Sequence, residues 1–164
     1  MTVGRKTLPW PQSPQLRAMA LADLDAVMAL EVCAYSHPWS RGNFVDSLVA
    51  GYLAEVMVLP AAPVCGYFVA MPGVDELHLL NVTVAPDLQS AGLGRQLLQA
   101  VQQHGRDQGL ASLFLEVRHS NQRARDLYRR LGFAEVGLRK GYYPALPRRE
   151  DAVVMRLPLL QVPA

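Results

Sequence analysis

The chain has little that could serve metal, redox or membrane chemistry. Only two cysteines occur in 164 residues. Cys33 and Cys65 lie far apart in apolar stretches and form no CxxC pair, which predicts two buried free thiols in a reducing compartment and argues against a disulfide. The four histidines, His37, His78, His104 and His119, share no metal-ligand spacing, and no Cys/His cluster joins them, so no metal is expected. No apolar run approaches the roughly 18 residues of a membrane span. The opening residues Met1-Thr2-Val3-Gly4-Arg5-Lys6 lead into prolines instead of an apolar signal core, so the expectation is a soluble cytoplasmic protein with no membrane partner. Long Lys/Arg runs are also missing at a formal net charge of +2, and charge therefore points to no direct nucleic-acid partner.

What is present suits one globular domain, with 51% hydrophobic and 18% charged residues. Residues 1–14, with Pro9, Pro11 and Pro14 and no hydrophobic period, read as a flexible lead-in, and 15–164 as the domain. Gln15 to Met19 suits a short strand. Leu21 to Tyr35 suits a helix whose inner stripe, Leu24, Val27 and Met28, is broken by Glu31. Ser40 is a good N-cap for a second helix, with Trp39 packing on Phe44 as a hydrophobic staple. Three strand candidates follow, Tyr52 to Leu59, Val64 to Met71 and Glu76 to Ala85, separated by Pro- and Gly-containing breaks that suit antiparallel hairpins. Gly92 to Gln108 is helical, with Leu93, Leu97, Ala100, Val101 and His104 near one face and Gly109 as its cap. Ser112 to Arg118 is a further strand and Asn121 to Leu131 a further helix. Phe133 to Arg139 and Asp151 to Leu157 close the chain as strands. The class is α+β with a mixed sheet.

The most informative segment runs from a strand through a turn into a helix: Asn81-Val82-Thr83-Val84-Ala85-Pro86-Asp87-Leu88-Gln89-Ser90-Ala91-Gly92-Leu93-Gly94-Arg95. Small residues there permit close approach, and the first N–H groups of a helix lack intrahelical partners and carry partial positive charge, which suits a pyrophosphate. A tight turn that only lets the helix pack on the sheet fits the same residues. A dinucleotide fingerprint does not fit, because Gly92-Leu93-Gly94 lacks the third glycine and a meander precedes it.

Gln89-Ser90-Ala91-Gly92-Leu93-Gly94 resembles the Q/R-x-x-G-x-G/A motif of the GNAT superfamily of N-acetyltransferases. Pro38-Trp39-Ser40, Leu115-Glu116-Val117-Arg118, Ser120-Asn121, Leu127-Tyr128-Arg129-Arg130-Leu131-Gly132-Phe133, Tyr142-Tyr143-Pro144 and Arg149-Glu150-Asp151-Ala152 together resemble its RimI-type ribosomal-protein-alanine branch. The likeness runs over roughly Leu16 to Leu157. It implies a GNAT fold of about seven mostly antiparallel strands flanked by about four helices, with acetyl-CoA as cosubstrate. Its pyrophosphate would be cradled by Gln89, Ser90, Ala91, Gly92, Leu93, Gly94 and Arg95. The motif often has a basic residue where Ser90 stands, which puts weight on backbone donors and on Arg95.

Acetyl transfer needs an uncharged amine, a stabilised oxyanion and a proton for the departing thiolate. Phe114 and Glu116 share one strand face opposite Leu113, Leu115 and Val117; pattern alone leaves Glu116 open to being an edge-strand glutamate in water. The resemblance implies that it is the general base. Tyr128 has the spacing of a core aromatic, and the resemblance makes it the acid, since a phenol of pKa about 10 can protonate a thiolate whose acid is nearer 8.5. A main-chain N–H on the strand where neighbouring strands splay apart, in the stretch Val82, Thr83, Val84, is implied to hold the oxyanion. Asn121 reads as a helix cap and also matches a coenzyme-contacting position. Trp39 and the loop of Tyr142 and Tyr143 are implied to flank the acceptor, a protein N-terminus, most specifically the N-terminal alanine of a small-subunit ribosomal protein. His78, two residues after Glu76 on a strand, is a secondary candidate for acceptor lining or proton transfer beside the alternative of a packed histidine. The same motifs leave open a GNAT enzyme for a small-molecule amine or lysine side chain, and a non-catalytic acyl-CoA sensor.

Overall fold

A computed structural model describes residues 13–60 and 62–160; the expected lead-in falls almost wholly outside them. In chain order the elements are β1 (Gln15–Ala18), a 3-10 turn (Leu21–Asp23), α1 (Leu24–Ala34), α2 (Arg41–Val49), β2 (Leu53–Leu59), β3 (Ala62–Pro72) and β4 (Glu76–Val84). A second 3-10 turn (Pro86–Leu88), α3 (Leu93–Asp107), β5 (Ser112–Arg118), α4 (Gln122–Arg130), β6 (Ala134–Tyr143) and β7 (Glu150–Pro158) complete them. The strands form one seven-stranded sheet in the order β1-β2-β3-β4-β5-β7-β6. Pairing is antiparallel for β1 with β2, β2 with β3, β5 with β7 and β6 with β7, and parallel for β4 with β5. The β4–β5 ladder runs from Glu76–Ser112 to Leu79–Leu115, while β4 continues to Val84 and β5 to Arg118.

Two compact units divide the chain. The first comprises residues up to Ala70 together with Asn81–Val101. Its core is built on Phe44, Val56, Met57, Tyr67 and Leu97, each at 0% exposure; burying a side chain of this kind stabilises by roughly 1.5–3 kcal/mol. The expected first helix is divided: Leu21–Asp23 is a 3-10 turn, and α1 starts only at Leu24. Asp23 explains the break, since its carboxylate accepts from the Ala20 N–H at 2.8 Å and pairs with Arg17 at 2.7 Å. Ser40 caps α2 as expected, accepting from the Asn43 N–H at 3.2 Å, and Trp39 packs on Phe44 with ring centroids 5.1 Å apart. Cys65 is buried but Cys33 is exposed, contrary to the expectation for both. Cys33 lies on the far side of α1 from Leu24, Val27 and Glu31, the three buried positions.

The second unit comprises Met71–Leu80 and Gln102 onward. Leu77, Leu113, Met155 and Phe133 are buried in it. Gly109 ends α3 with a φ of 69°, its N–H donating to the Arg106 carbonyl at 2.9 Å, as a helix C-cap glycine does. Along α3 the buried positions include Leu93, Leu97, Leu98 and Val101, whereas Ala100 and His104 are only half-buried. The packed stripe is thus rotated slightly from the expected one. Strand β6 runs to Tyr143, four residues past its expected end, so Tyr142 and Tyr143 belong to a strand and not to a loop. The reason lies in β7 and the residue before it: the Asp151 carboxylate accepts from the Gly141 N–H at 2.9 Å, and Arg149 donates to the carbonyls of Gly141 and Tyr142 at 2.7 and 2.8 Å.

Candidate active site

In the first unit, β4 delivers the chain into the proposed phosphate loop. Val82 and Val84 are half-buried and Thr83 is buried. The Gln89 side-chain amide donates back to the Val84 carbonyl at 3.4 Å, bending the chain after the Pro86–Leu88 turn. Ser90 and Gly92 then adopt positive φ of 73° and 85°. At Gly92 an added Cβ would meet open space, so glycine serves the backbone conformation there and not a close packing contact. The Gln96 N–H reaches the Gly92 carbonyl at 3.2 Å and starts α3, so Leu93, Gly94 and Arg95 form its first turn. The Leu93 side chain is buried and holds this turn against the core, which leaves its main-chain N–H as the group it can offer. The Arg95 side chain is exposed. Such a turn with a glycine hinge fits a pyrophosphate, whose charge the helix N-terminus favours.

A hydrogen-bonded cluster that sequence reasoning missed lies beneath this strand. Glu31, 1% exposed, accepts from the Trp39 N–H at 3.0 Å, from the Tyr67 hydroxyl and from the Asn81 amide at 3.1 and 3.2 Å. The Thr83 hydroxyl donates to the Asn81 side-chain oxygen at 2.8 Å. The Tyr35 hydroxyl donates to the Val82 carbonyl at 2.9 Å and lies 2.8 Å from the Thr83 hydroxyl. Burial pushes the Tyr67 and Tyr35 phenols up, and for Tyr67 the adjoining Glu31 carboxylate adds to this, so both stay protonated donors. The signal available in the sequence was the one charged residue in the α1 stripe.

In the second unit, β5 lies between β4 and β7, so Glu116 is not on an edge. Its side chain is 15% exposed, and its carboxylate lies 3.5 Å from the Arg139 guanidinium. One basic partner from β6 thus stands beside this carboxylate. Arg139 lies over the Tyr142 ring at 5.3 Å, and Tyr142 meets Tyr143 edge-on at 5.0 Å. Arg118 lies over the Tyr143 ring at 4.7 Å and pairs with Glu150 at 3.2 Å. The other Glu150 oxygen accepts from the Ser120 N–H at 2.7 Å. These hydrogen bonds, Ser120 first, hold the Glu150 carboxyl below its ordinary range. One chain of contacts thus joins the proposed base to both tyrosines and to the turn before α4. Arg139 and Glu150 were not singled out as site residues, because cross-strand neighbours are set by register.

Asn121 caps α4, its side-chain oxygen accepting from the Ala124 N–H at 3.2 Å. Tyr128 is the buried side chain of that helix, at 8% exposure, with its ring 5.7 Å from Phe133. His78 pairs with Glu76 at 3.0 Å and stacks on Phe114 at 5.5 Å, the packed arrangement. Trp39 lies in the first unit and is half-buried.

The Acetyltransferase (GNAT) family profile matches residues 24–133, well over half of the chain. The chain belongs to the GNAT family of acetyltransferases. The [ribosomal protein bS18]-alanine N-acetyltransferase of Escherichia coli (strain K12) is 36% identical to this GNAT enzyme over 144 residues, 88% of this chain and 97% of the relative. The crystal structure of the ribosomal-protein-S18-alanine N-acetyltransferase from Escherichia coli superposes with a TM-score of 0.85 at 34% identity, covering 92% of this chain and 97% of that one. At 20% identity, a GNAT superfamily phosphinothricin acetyltransferase from Sinorhizobium meliloti, solved in complex with AcCoA, shares the fold with a TM-score of 0.76 over 90% of this chain and 89% of its own. Acetyl-CoA is the cosubstrate of this GNAT enzyme.

Proposed function

We propose that this enzyme transfers the acetyl group of acetyl-CoA to the N-terminal α-amine of a protein, the N-terminal alanine of a small-subunit ribosomal protein, through a domain spanning 15–164. The observation that carries the reading is the 36% identity, across 97% of its length, to an enzyme named for that alanine.

The chemistry assigns one demand to each residue. Glu116 takes the proton from the α-ammonium, directly or through water, so that the lone pair can attack the thioester carbon. Arg139 orients that carboxylate. A main-chain N–H of the stretch Val82, Thr83, Val84 holds the oxyanion as the carbonyl becomes tetrahedral. Tyr128 gives its proton to the sulfur as the carbon–sulfur bond breaks. Gln89 to Arg95 grip the pyrophosphate, Asn121 contacts the coenzyme while capping α4, and Trp39, Tyr142 and Tyr143 line the acceptor.

The test is purified protein with acetyl-CoA and a peptide carrying the ribosomal N-terminus, with α-amine acetylation read by mass spectrometry. Protein that binds acetyl-CoA yet leaves the peptide unmodified refutes the acceptor. Glu116→Gln and Tyr128→Phe are each expected to lower kcat by roughly 10²–10⁴, the range for losing a positioned acid or base. Acetyl-CoA affinity should hold in both, and full turnover in either variant removes that residue from the mechanism.

A further inference from the structure

The mechanism above leaves unused the most deeply buried carboxylate among the described residues, Glu31. Taking a carboxylate out of water costs several kcal/mol unless every lone pair finds a donor, and an apolar residue of similar size often serves stability as well or better. Its position on the α1 stripe, beside Leu24 and Val27, would suit such a residue. The charge is therefore informative about what it holds.

Its partners come from three segments far apart in sequence: the Trp39 main chain in the turn before α2, the Tyr67 hydroxyl on β3 and the Asn81 amide on β4. All are donors, as an ionised carboxylate requires. Because the carboxylate takes the Asn81 NH2, the Asn81 oxygen is turned to Thr83, and the order of donors is fixed down the strand. Tyr35, at the end of α1, closes the circuit on the Val82 carbonyl. One carboxylate thus sets both Trp39 and the main chain at 81–83.

We infer that Glu31 is a positioning residue that locks the Trp39 turn to β4 and thereby aligns the incoming amine with the strand groups that hold the reacting carbonyl. The inference rests on the acceptor reading given above. Glu31 touches no reactant; it acts through Trp39, Asn81 and Thr83.

The test compares variants with wild type on the same N-terminal peptide, with acetyl-CoA binding measured directly and folding checked by melting. Glu31→Gln replaces one carboxylate oxygen by an NH2, which would face the donating Asn81 amide in either orientation, together with the Trp39 N–H or the Tyr67 hydroxyl. We expect the peptide KM to rise roughly tenfold, about the effect of one lost hydrogen bond, while acetyl-CoA affinity stays within about twofold. Adding Asn81→Asp returns an acceptor opposite the new amide, and the double variant should recover most of the lost kcat/KM although Asn81→Asp alone sets two carboxylates together. Tyr35→Phe leaves the carboxylate's own partners intact, and should raise the peptide KM in the same direction. It decides the matter if Glu31→Gln does not fold. Folded variants that keep peptide kcat/KM within about twofold of wild type, or that lose acetyl-CoA affinity in step with peptide, overturn the inference. A wild type that binds acetyl-CoA but acetylates no N-terminal peptide overturns the acceptor reading itself, an outcome seen before any variant is compared.

Discussion

Replacing Gly66 by alanine measures how closely β3 must approach the strand that carries the proposed oxyanion groups. A Cβ at Gly66 would lie 2.9 Å from the Thr83 carbonyl oxygen, 3.2 Å from Leu97 Cδ1 and 3.7 Å from Val84 Cα. The first contact is with backbone, so relief requires moving β4 and not merely rotating a side chain. Two effects oppose each other. Alanine in place of a strand glycine gains about 0.5–1 kcal/mol through the unfolded chain, whereas overpacking a core costs about 1–3 kcal/mol. The clash should win, for a net loss of about 1–2 kcal/mol. For a chain of this size that lowers Tm by about 2–8 °C. Gly137→Ala is the matched control, since its Cβ would meet Val154 at an ordinary 3.7 Å and should leave stability equal or slightly higher. Thermal and urea melts of both variants give the comparison. Gly66→Ala as stable as wild type, or Gly137→Ala losing as much, would refute the close-approach argument.

Other expectations address single features. A thiol reagent at pH 8 should find one fast equivalent in the native protein and two after unfolding: Cys33 is exposed, while burial pushes the Cys65 thiol up to about 11. At that value only about a thousandth is thiolate at pH 8. Asp23, held below its ordinary range first by the Arg17 hydrogen bonds, contributes stability above the unfolded pKa of about 3.9 that is lost as pH falls through its folded value. The difference in Tm between wild type and Asp23→Asn should therefore be full near neutrality and shrink below about pH 4. Asn121→Ala removes the cap of α4 and should cost about 1 kcal/mol, read in urea melts. Unchanged stability there would assign Asn121 to the coenzyme alone.

Short-range signals were legible because they depend on neighbours in sequence. Ser40 and Asn121 cap the helices they precede, Gly109 ends α3, and Ser112–Arg118 is a strand at its expected bounds. The small residues of the loop before α3 likewise pointed to its turn. Less legible were features that depend on who lies across the sheet. Tyr142 and Tyr143 read as a loop, yet Asp151 of β7 and Arg149 just before it extend β6 to meet them. Cys33 looked apolar and buried, but the helix phase puts it outward.

The sequence by itself determined the helix caps, the strand-turn-helix with its glycines, and the order of motifs that places the chain in its family. Each is a matter of local backbone preference or linear spacing. Only the tertiary structure decided that Arg139 faces Glu116, that Glu150 ties Ser120 to Arg118, and that Glu31 gathers Trp39, Tyr67 and Asn81. Those pairings join residues eight to fifty positions apart. Strand register and helix packing bring them together, and neither is written in the spacing of any one segment.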